Sequence, residues 1–73
     1  MIRVALLFGG RSSEHSISCA TAAGVLSAID RDRFEVVPIG ITRTGAWTLQ
    51  PDDPALFALR AELPEVVDNG TRV

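Results

Sequence analysis

Residues 9–18 read GGRSSEHSIS, and this stretch decides the fold. An apolar run over residues 2–8 stops at Gly9 and Gly10, and a pattern of helical period follows the polar turn. A strand, a tight loop and a helix N-terminus in that order form the arrangement in which open α/β proteins bind their ligands. The sequence therefore predicts an α/β fold with a ligand site at this loop.

The charge of the loop indicates which kind of ligand fits. Gly9 and Gly10 leave backbone N–H groups free of side chains, and the helix N-terminus adds further donors and a partial positive charge. Both features suit phosphate, but Glu14, predicted to lie in the first helical turn, places a negative charge there. An ammonium-bearing ligand fits better than an anion. From the residues alone, Glu14 can also be an acid that only complements the helix dipole.

The other polar residues of the loop have structural interpretations. Ser12 or Ser13 can cap the helix by accepting an N–H from its first turn. His15 is expected to hydrogen-bond the loop, since an imidazolium is disfavoured at a helix N-terminus. No base with an orienting partner stands beside the serines, so a serine nucleophile is not expected.

The first half of the chain predicts a Rossmann-like βαβ start with a parallel sheet, followed by a small β-hairpin. Residues 2–8 are apolar at nearly every position, which is typical of a parallel strand covered on both faces. A second strand is predicted over 34–42, where Pro38 should lie at an edge, a bulge or a strand end. A turn over 42–45 and the alternation over 46–49 predict the hairpin. The helical stripe expected to face the sheet consists of Ile17, Ala20, Gly24, Val25 and Ala28.

The second half of the chain gives weaker signals. Asp52 and Asp53 before Pro54 predict a helix start, with one or two turns over 55–59. Val66 and Val67 indicate a strand fragment, and residues 68–70 indicate a turn.

Length and composition narrow the class of protein. A chain of 73 residues forms one domain at most, and a domain of this size buries only about 60% of its unfolded surface. Cys19 is the single cysteine, which excludes an internal disulfide and suggests a buried thiol in a reducing compartment. The net charge is −2 and the arginines are scattered, so no nucleic-acid partner is expected. The N-terminal apolar run is too short for a membrane span, and no signal peptide is expected.

The sequence GGRSSEHSISCATAAGV over residues 9–25 resembles the N-terminal signature of the D-alanine–D-alanine ligases, which reads roughly GG-x-S-x-E-H-x-[VI]-S-x-x-[ST]-[AG]. The stretch over 33–49 is also similar to the second strand and hairpin of that family. The resemblance covers residues 1–50 well and 51–73 loosely. The matching positions of the signature are Gly9, Gly10, Ser12, Glu14, His15, Ile17, Ser18, Thr21 and Ala22.

The resemblance implies a cytoplasmic bacterial ligase of peptidoglycan synthesis that uses ATP and Mg²⁺ to join two D-alanines. It implies that Glu14 binds the ammonium of the first D-alanine and that Ile17 lies near the substrate methyl. The ATP and metal ligands of the family lie in ATP-grasp domains outside this chain. Residues 1–73 would then be an incomplete pre-ATP-grasp domain, inactive alone, with D-alanine, the remainder of the ligase chain and a second copy in a homodimer as partners.

Two further hypotheses remain open at this point. A free-standing nucleotide- or phosphate-binding module without catalysis would use the strand–Gly-Gly–helix turn, and titration with mononucleotides, followed by Trp47 fluorescence, tests it. An interaction piece would follow from an unpaired sheet edge, which pairs with other chains. In that case the chain should self-associate, and a monodisperse monomer in sedimentation would count against it.

Overall fold

The computed structural model describes residues 1–59 and 63–73. Strand β1 spans Ile2–Gly9, helix α1 spans His15–Ala28, strand β2 spans Phe34–Ile41 and strand β3 spans Trp47–Leu49. A 3₁₀ turn at Pro54–Leu56 follows. The predicted strand, helix, strand and hairpin are therefore confirmed, with boundaries that differ by one or two residues.

The three strands form one sheet in the order β1-β2-β3. β1 pairs in parallel with β2, from Ile2 opposite Phe34 to Gly9 opposite Ile41. β2 and β3 are antiparallel, with Gly40 opposite Thr48. In this register the carboxyl ends of β1 and β2 meet at one edge of the sheet, and the glycine loop leaves from that edge.

Pro38 lies inside β2, the central strand, so its predicted place at an edge or strand end is wrong. The Pro38 carbonyl accepts a hydrogen bond of 2.9 Å from the backbone N–H of Gln50. The backbone polar groups of Pro38 therefore face the side of β3, at the point where the β3 ladder ends at Leu49. The missing N–H of proline removes no bond to β1, because it would have pointed away from that strand.

The hydrophobic core lies between α1, the sheet and the 3₁₀ turn. Phe8 and Phe57 meet at its centre in an edge-on arrangement, with ring centroids 4.7 Å apart. Such a pair is worth about 0.5–1.5 kcal/mol beyond the area that it buries. The buried members of the core are Phe8, Cys19, Ala22, Ala23, Leu26, Phe57 and Val66.

The helix face that packs on the core differs from the predicted stripe. The exposed residues include Ile17, Gly24, Val25 and Ala28, whereas Leu26 is only 2% exposed. α1 is apolar around most of its circumference, so the period alone does not select a face, and the larger Leu26 buries more area than glycine or alanine. The predicted stripe is therefore wrong at four of its five positions.

β1 is covered on one face only, which corrects the expectation of a strand buried on both. Phe8 is buried and Leu6 packs against the core on the helix side. Ala5 and Leu7 point to the other face and are exposed, Leu7 by 46%. β1 is also the edge strand, so the unpaired edge expected from the sequence is present in the described residues.

The C-terminal segment lies along β3 instead of forming the predicted strand at Val66 and Val67. The backbone N–H of Leu49 donates to the Thr71 carbonyl over 2.8 Å, and an isolated bridge joins Thr48 to Arg72. Asp68 pairs with Arg72 across the intervening turn, and this hydrogen bond lowers the pKa of the Asp68 carboxyl. The predicted turn over 68–70 is therefore where the chain bends toward β3.

The start of the predicted second helix is confirmed, but the element is a single 3₁₀ turn. The Asp53 side chain accepts a hydrogen bond of 3.1 Å from the Ala55 N–H, and Pro54 follows it. Arg31 holds this region to the end of α1, since it donates to the Leu26 carbonyl over 2.6 Å and pairs with Asp52.

Candidate functional site

The glycine loop bends sharply at the end of β1. Gly9 and Gly10 have φ of 88° and 100°, a region that favours glycine. The Gly10 N–H donates to the Ile41 carbonyl over 2.7 Å, and the Gly9 N–H donates to Ser18 Oγ over 3.0 Å. Both N–H groups are therefore used within the protein, and the expectation that they are free for a ligand is wrong.

Glu14 lies at the N-cap position of α1, one residue before the helix begins. Neither Ser12 nor Ser13 caps the helix, which corrects that prediction. Ser12 instead forms a turn before the helix: its Oγ accepts from the Glu14 N–H and its carbonyl accepts from the His15 N–H, each over 3.1 Å. This turn moves the helix start to His15, so Glu14 is not in the first turn. The Glu14 side chain makes no cap bond and is exposed.

Glu14 and Ile17 line the same groove between α1 and the open edge of β1. The groove has a volume of about 280 Å³, and Glu14 is the one ionisable side chain among the described residues that line it. The two hydroxyls in the lining are engaged within the protein: Ser18 Oγ accepts from Gly9, and Thr21 Oγ1 donates to the Ile17 carbonyl over 3.0 Å. The other lining residues are Leu6, Leu7, Phe8, Ala22 and Val25.

The chemistry of the groove suits a small ligand that carries both a positive charge and an apolar group. A carboxylate that faces an ammonium forms a charge-assisted hydrogen bond, about twice as strong as a neutral one. Ile17, 64% exposed, offers apolar surface one turn along the same helix. Among the described residues of the lining, no other charged side chain competes for the ligand.

His15 is fully buried behind the loop. Its Nδ1 lies 2.7 Å from the Gly10 carbonyl oxygen, and its Nε2 accepts a hydrogen bond of 2.9 Å from the Val66 N–H. Val66 stands 51 positions later in the chain, and no local pattern in the sequence signals this contact. Val66 is thus a member of the site region that sequence reasoning missed.

Arg11 and Cys19, a charged and a reactive residue near the loop, are engaged or buried within the protein. Arg11 donates from Nη2 to the Thr44 carbonyl over 2.9 Å, so its guanidinium lies across the β2–β3 turn. Cys19 is buried, and burial raises the pKa of its thiol despite the opposing charge of Arg43. A thiol in this state is a poor nucleophile.

No three His, Cys, Asp or Glu side chains are grouped to hold a metal ion within residues 1–59 and 63–73. The Gly9 and Gly10 N–H groups, which a phosphate cradle at this bend would use, are already bonded within the protein. In the same part of the chain, no helix has both the length and the apolar character that crossing a membrane requires.

A parallel strand pair joined through a Gly-Gly bend and one helix, with an antiparallel third strand, defines a small α/β unit with a mixed sheet. The sequence model described as "D-ala D-ala ligase N-terminus" matches residues 3–71. The D-alanine–D-alanine ligase of Kineococcus radiotolerans is 64% identical over 72 residues, covering 97% of this chain and 19% of the relative. That of Paenarthrobacter aurescens is 56% identical over 72 residues with the same coverage.

Solved structures agree with the sequence matches. The D-alanine-D-alanine ligase from Coxiella burnetii has a TM-score of 0.69 at 30% identity, covering 84% of this chain and 18% of that one. The VanG D-Ala:D-Ser ligase from Enterococcus faecalis has a TM-score of 0.72 at 34% identity, covering 77% and 16%. The chain belongs to the D-alanine–D-alanine ligase family, in its N-terminal part. It spans about a fifth of the length of the first two relatives.

Proposed function

We propose that these 73 residues supply the binding site for the first D-alanine in an ATP-dependent D-alanine–D-alanine ligase of peptidoglycan synthesis. Family membership and the groove that brings Glu14 and Ile17 together support this proposal. The residues form part of a pre-ATP-grasp domain, and the remainder of the ligase chain completes the enzyme. The working enzyme is a cytoplasmic homodimer, as the family resemblance implies.

Glu14 carries the binding step in this proposal. Its carboxylate binds the ammonium of the first D-alanine, and Ile17 lies beside the methyl group. ATP, which residues outside this chain would hold with Mg²⁺, would supply the phosphoryl group that activates the substrate carboxylate toward the second amine. Glu14 transfers no proton, and it contributes to the rate by orienting the substrate.

The free-standing phosphate-binding module is not favoured. Its cradle would need the Gly9 and Gly10 N–H groups, and these donate to Ser18 and Ile41. The exposed Glu14 at the helix N-terminus would also repel a phosphate.

The test is the substitution Glu14→Gln in the full-length ligase that carries these residues. A hydrogen bond to a charged group is worth about 1.5–3 kcal/mol, so we expect the KM for the first D-alanine to rise roughly ten- to a hundredfold. The KM for ATP should stay near its wild-type value, because the proposal assigns ATP to residues outside this chain. Steady-state kinetics with each substrate varied in turn measures both constants.

Glu35→Gln is the matched control. Glu35 is an exposed glutamate on β2, in a salt bridge of 3.1 Å with Arg3. Exposed pairs of this kind contribute about 0–1 kcal/mol, so neither KM should change. An unchanged KM for D-alanine in Glu14→Gln would reject the proposed role of Glu14.

A further inference from the structure

The buried imidazole of His15 connects the glycine loop to the C-terminal segment. Its two ring nitrogens contact the Gly10 carbonyl at 2.7 Å and the Val66 N–H at 2.9 Å. Within the described residues, no buried side-chain nitrogen or oxygen lacks a hydrogen-bond partner, so the contacts of this ring are complete. Val66 also packs on the loop, since a Cβ added to Gly9 would lie 2.9 Å from Val66 Cγ2.

The two partners define the protonation of the ring. A carbonyl only accepts, so Nδ1 carries the hydrogen and donates to Gly10. A backbone N–H only donates, so Nε2 is bare and accepts from Val66. The ring is therefore neutral and in the Nδ1–H tautomer.

These contacts determine the position of the Glu14 backbone relative to the groove. Glu14 is the residue between the Ser12 turn and His15, and its own N–H is bonded to Ser12 Oγ. Its side chain has no cap bond that would fix it. The backbone on either side is fixed by the Ser12 turn and by the bonds of His15. The position of the carboxylate over the groove therefore depends on the loop that His15 closes.

We propose that His15 is a positioning residue: by tying Gly10 to Val66 it holds the loop that presents Glu14 to the substrate ammonium. This inference rests on the proposed function, and it adds the segment around Val66 to the support of the D-alanine site. His15 does not touch the substrate, and its effect passes through the Gly10 carbonyl and the Glu14 backbone.

Two conservative variants of the full-length ligase separate the two bonds. In His15→Asn the side-chain amide takes the place of Nδ1–H and keeps the bond to Gly10. In His15→Gln the amide oxygen reaches the place of Nε2 and keeps only the bond to Val66. We expect His15→Gln to raise the KM for the first D-alanine about tenfold, below the ~100-fold that a 1 Å misplacement can cost. His15→Asn should raise it as well, because the Val66 N–H then has no acceptor and the tie between Gly10 and Val66 is broken. The KM for ATP should not change in either variant.

Leu26→Val is the control for a general loss of stability. Leu26 is a buried core residue near the C-terminal end of α1 and does not line the Glu14 groove. This variant should lower the Tm without changing the KM for D-alanine. The inference is overturned if either His15 variant lowers the Tm as the control does while its KM for D-alanine stays at the wild-type value.

A second measurement needs no variant at His15. Binding of D-alanine at Glu14 should slow hydrogen exchange of the Val66 amide in the full-length wild-type enzyme, because the ligand stabilises the closed loop. Exchange of the Val66 amide that is identical with and without D-alanine would overturn the inference.

The variants also separate this inference from the proposed function. If Glu14→Gln raises the KM for D-alanine and His15→Gln does not, only the role of His15 fails. If Glu14→Gln leaves the KM for D-alanine unchanged, the substrate-binding role of Glu14 itself fails, regardless of the result for the His15 variants.

Discussion

Gly9 and Gly10 are adjacent and both have positive φ, yet their surroundings differ. A Cβ on Gly9 would lie 2.4 Å from the Ile41 carbonyl oxygen and 3.1 Å from His15 Cε1. A Cβ on Gly10 would meet nothing within 4 Å. Gly9 therefore needs to be glycine for both its backbone angle and its space, whereas Gly10 needs it for the angle alone.

This difference gives a prediction for a pair of substitutions. We expect Gly9→Ala to cost about 2–5 kcal/mol, the sum of the left-handed penalty and the overpacking of a fixed backbone atom. Gly10→Ala should lower the free energy of unfolding only by the penalty of the left-handed backbone conformation, about 1–2 kcal/mol. Urea unfolding of the two variants measures the difference in the free energy of unfolding, and equal costs would contradict the tight packing at Gly9.

Individual residues also show how far the sequence predicts the site. Glu14, at the N-cap of α1, and Ile17, in its first turn, are three residues apart, so their placement beside one groove follows from helical spacing. The use of the Gly9 and Gly10 N–H groups does not follow, because their acceptors lie on α1 and β2. The contact between His15 and Val66 joins positions 51 residues apart and carries no local signal.

At the scale of elements, β1, α1, β2 and the hairpin follow from sequence, since each has a clear apolar run or a turn residue at its end. The orientation of α1 does not follow. Val25 and Leu26 are adjacent in sequence and both apolar, but Leu26 is 2% exposed and Val25 is 38% exposed. Packing against Phe8 and Phe57 decides between them, and both partners lie outside the helix.

The neighbouring pair also tests the helix face. Leu26→Ala should destabilise by about 2–5 kcal/mol, because it leaves a cavity in the core, and such a loss unfolds most of a small domain. Val25→Ala should cost well below that, since its side chain is partly in solvent. Circular dichroism of the 73-residue chain with each change reports the folded fraction. A larger loss for Val25→Ala would mean that the helix packs by its other face.

At the scale of the whole molecule, the described residues form a three-stranded sheet whose edge at β1 is unpaired. β1 is an edge strand, and Ile2, Leu7 and Ile17 are exposed near it by 64%, 46% and 64%. The self-association expected for such an edge stays a prediction. The groove beside this edge holds Glu14.

The preference of the first site for D-alanine over D-lactate tests the role of Glu14 most directly. The two compounds share their methyl and carboxylate, and a hydroxyl replaces the ammonium. In the full-length ligase we expect Glu14→Gln to reduce this preference roughly ten- to a hundredfold, which is the loss of one charged hydrogen bond. A Glu14→Gln enzyme that keeps the full wild-type preference would contradict the binding of the ammonium by Glu14.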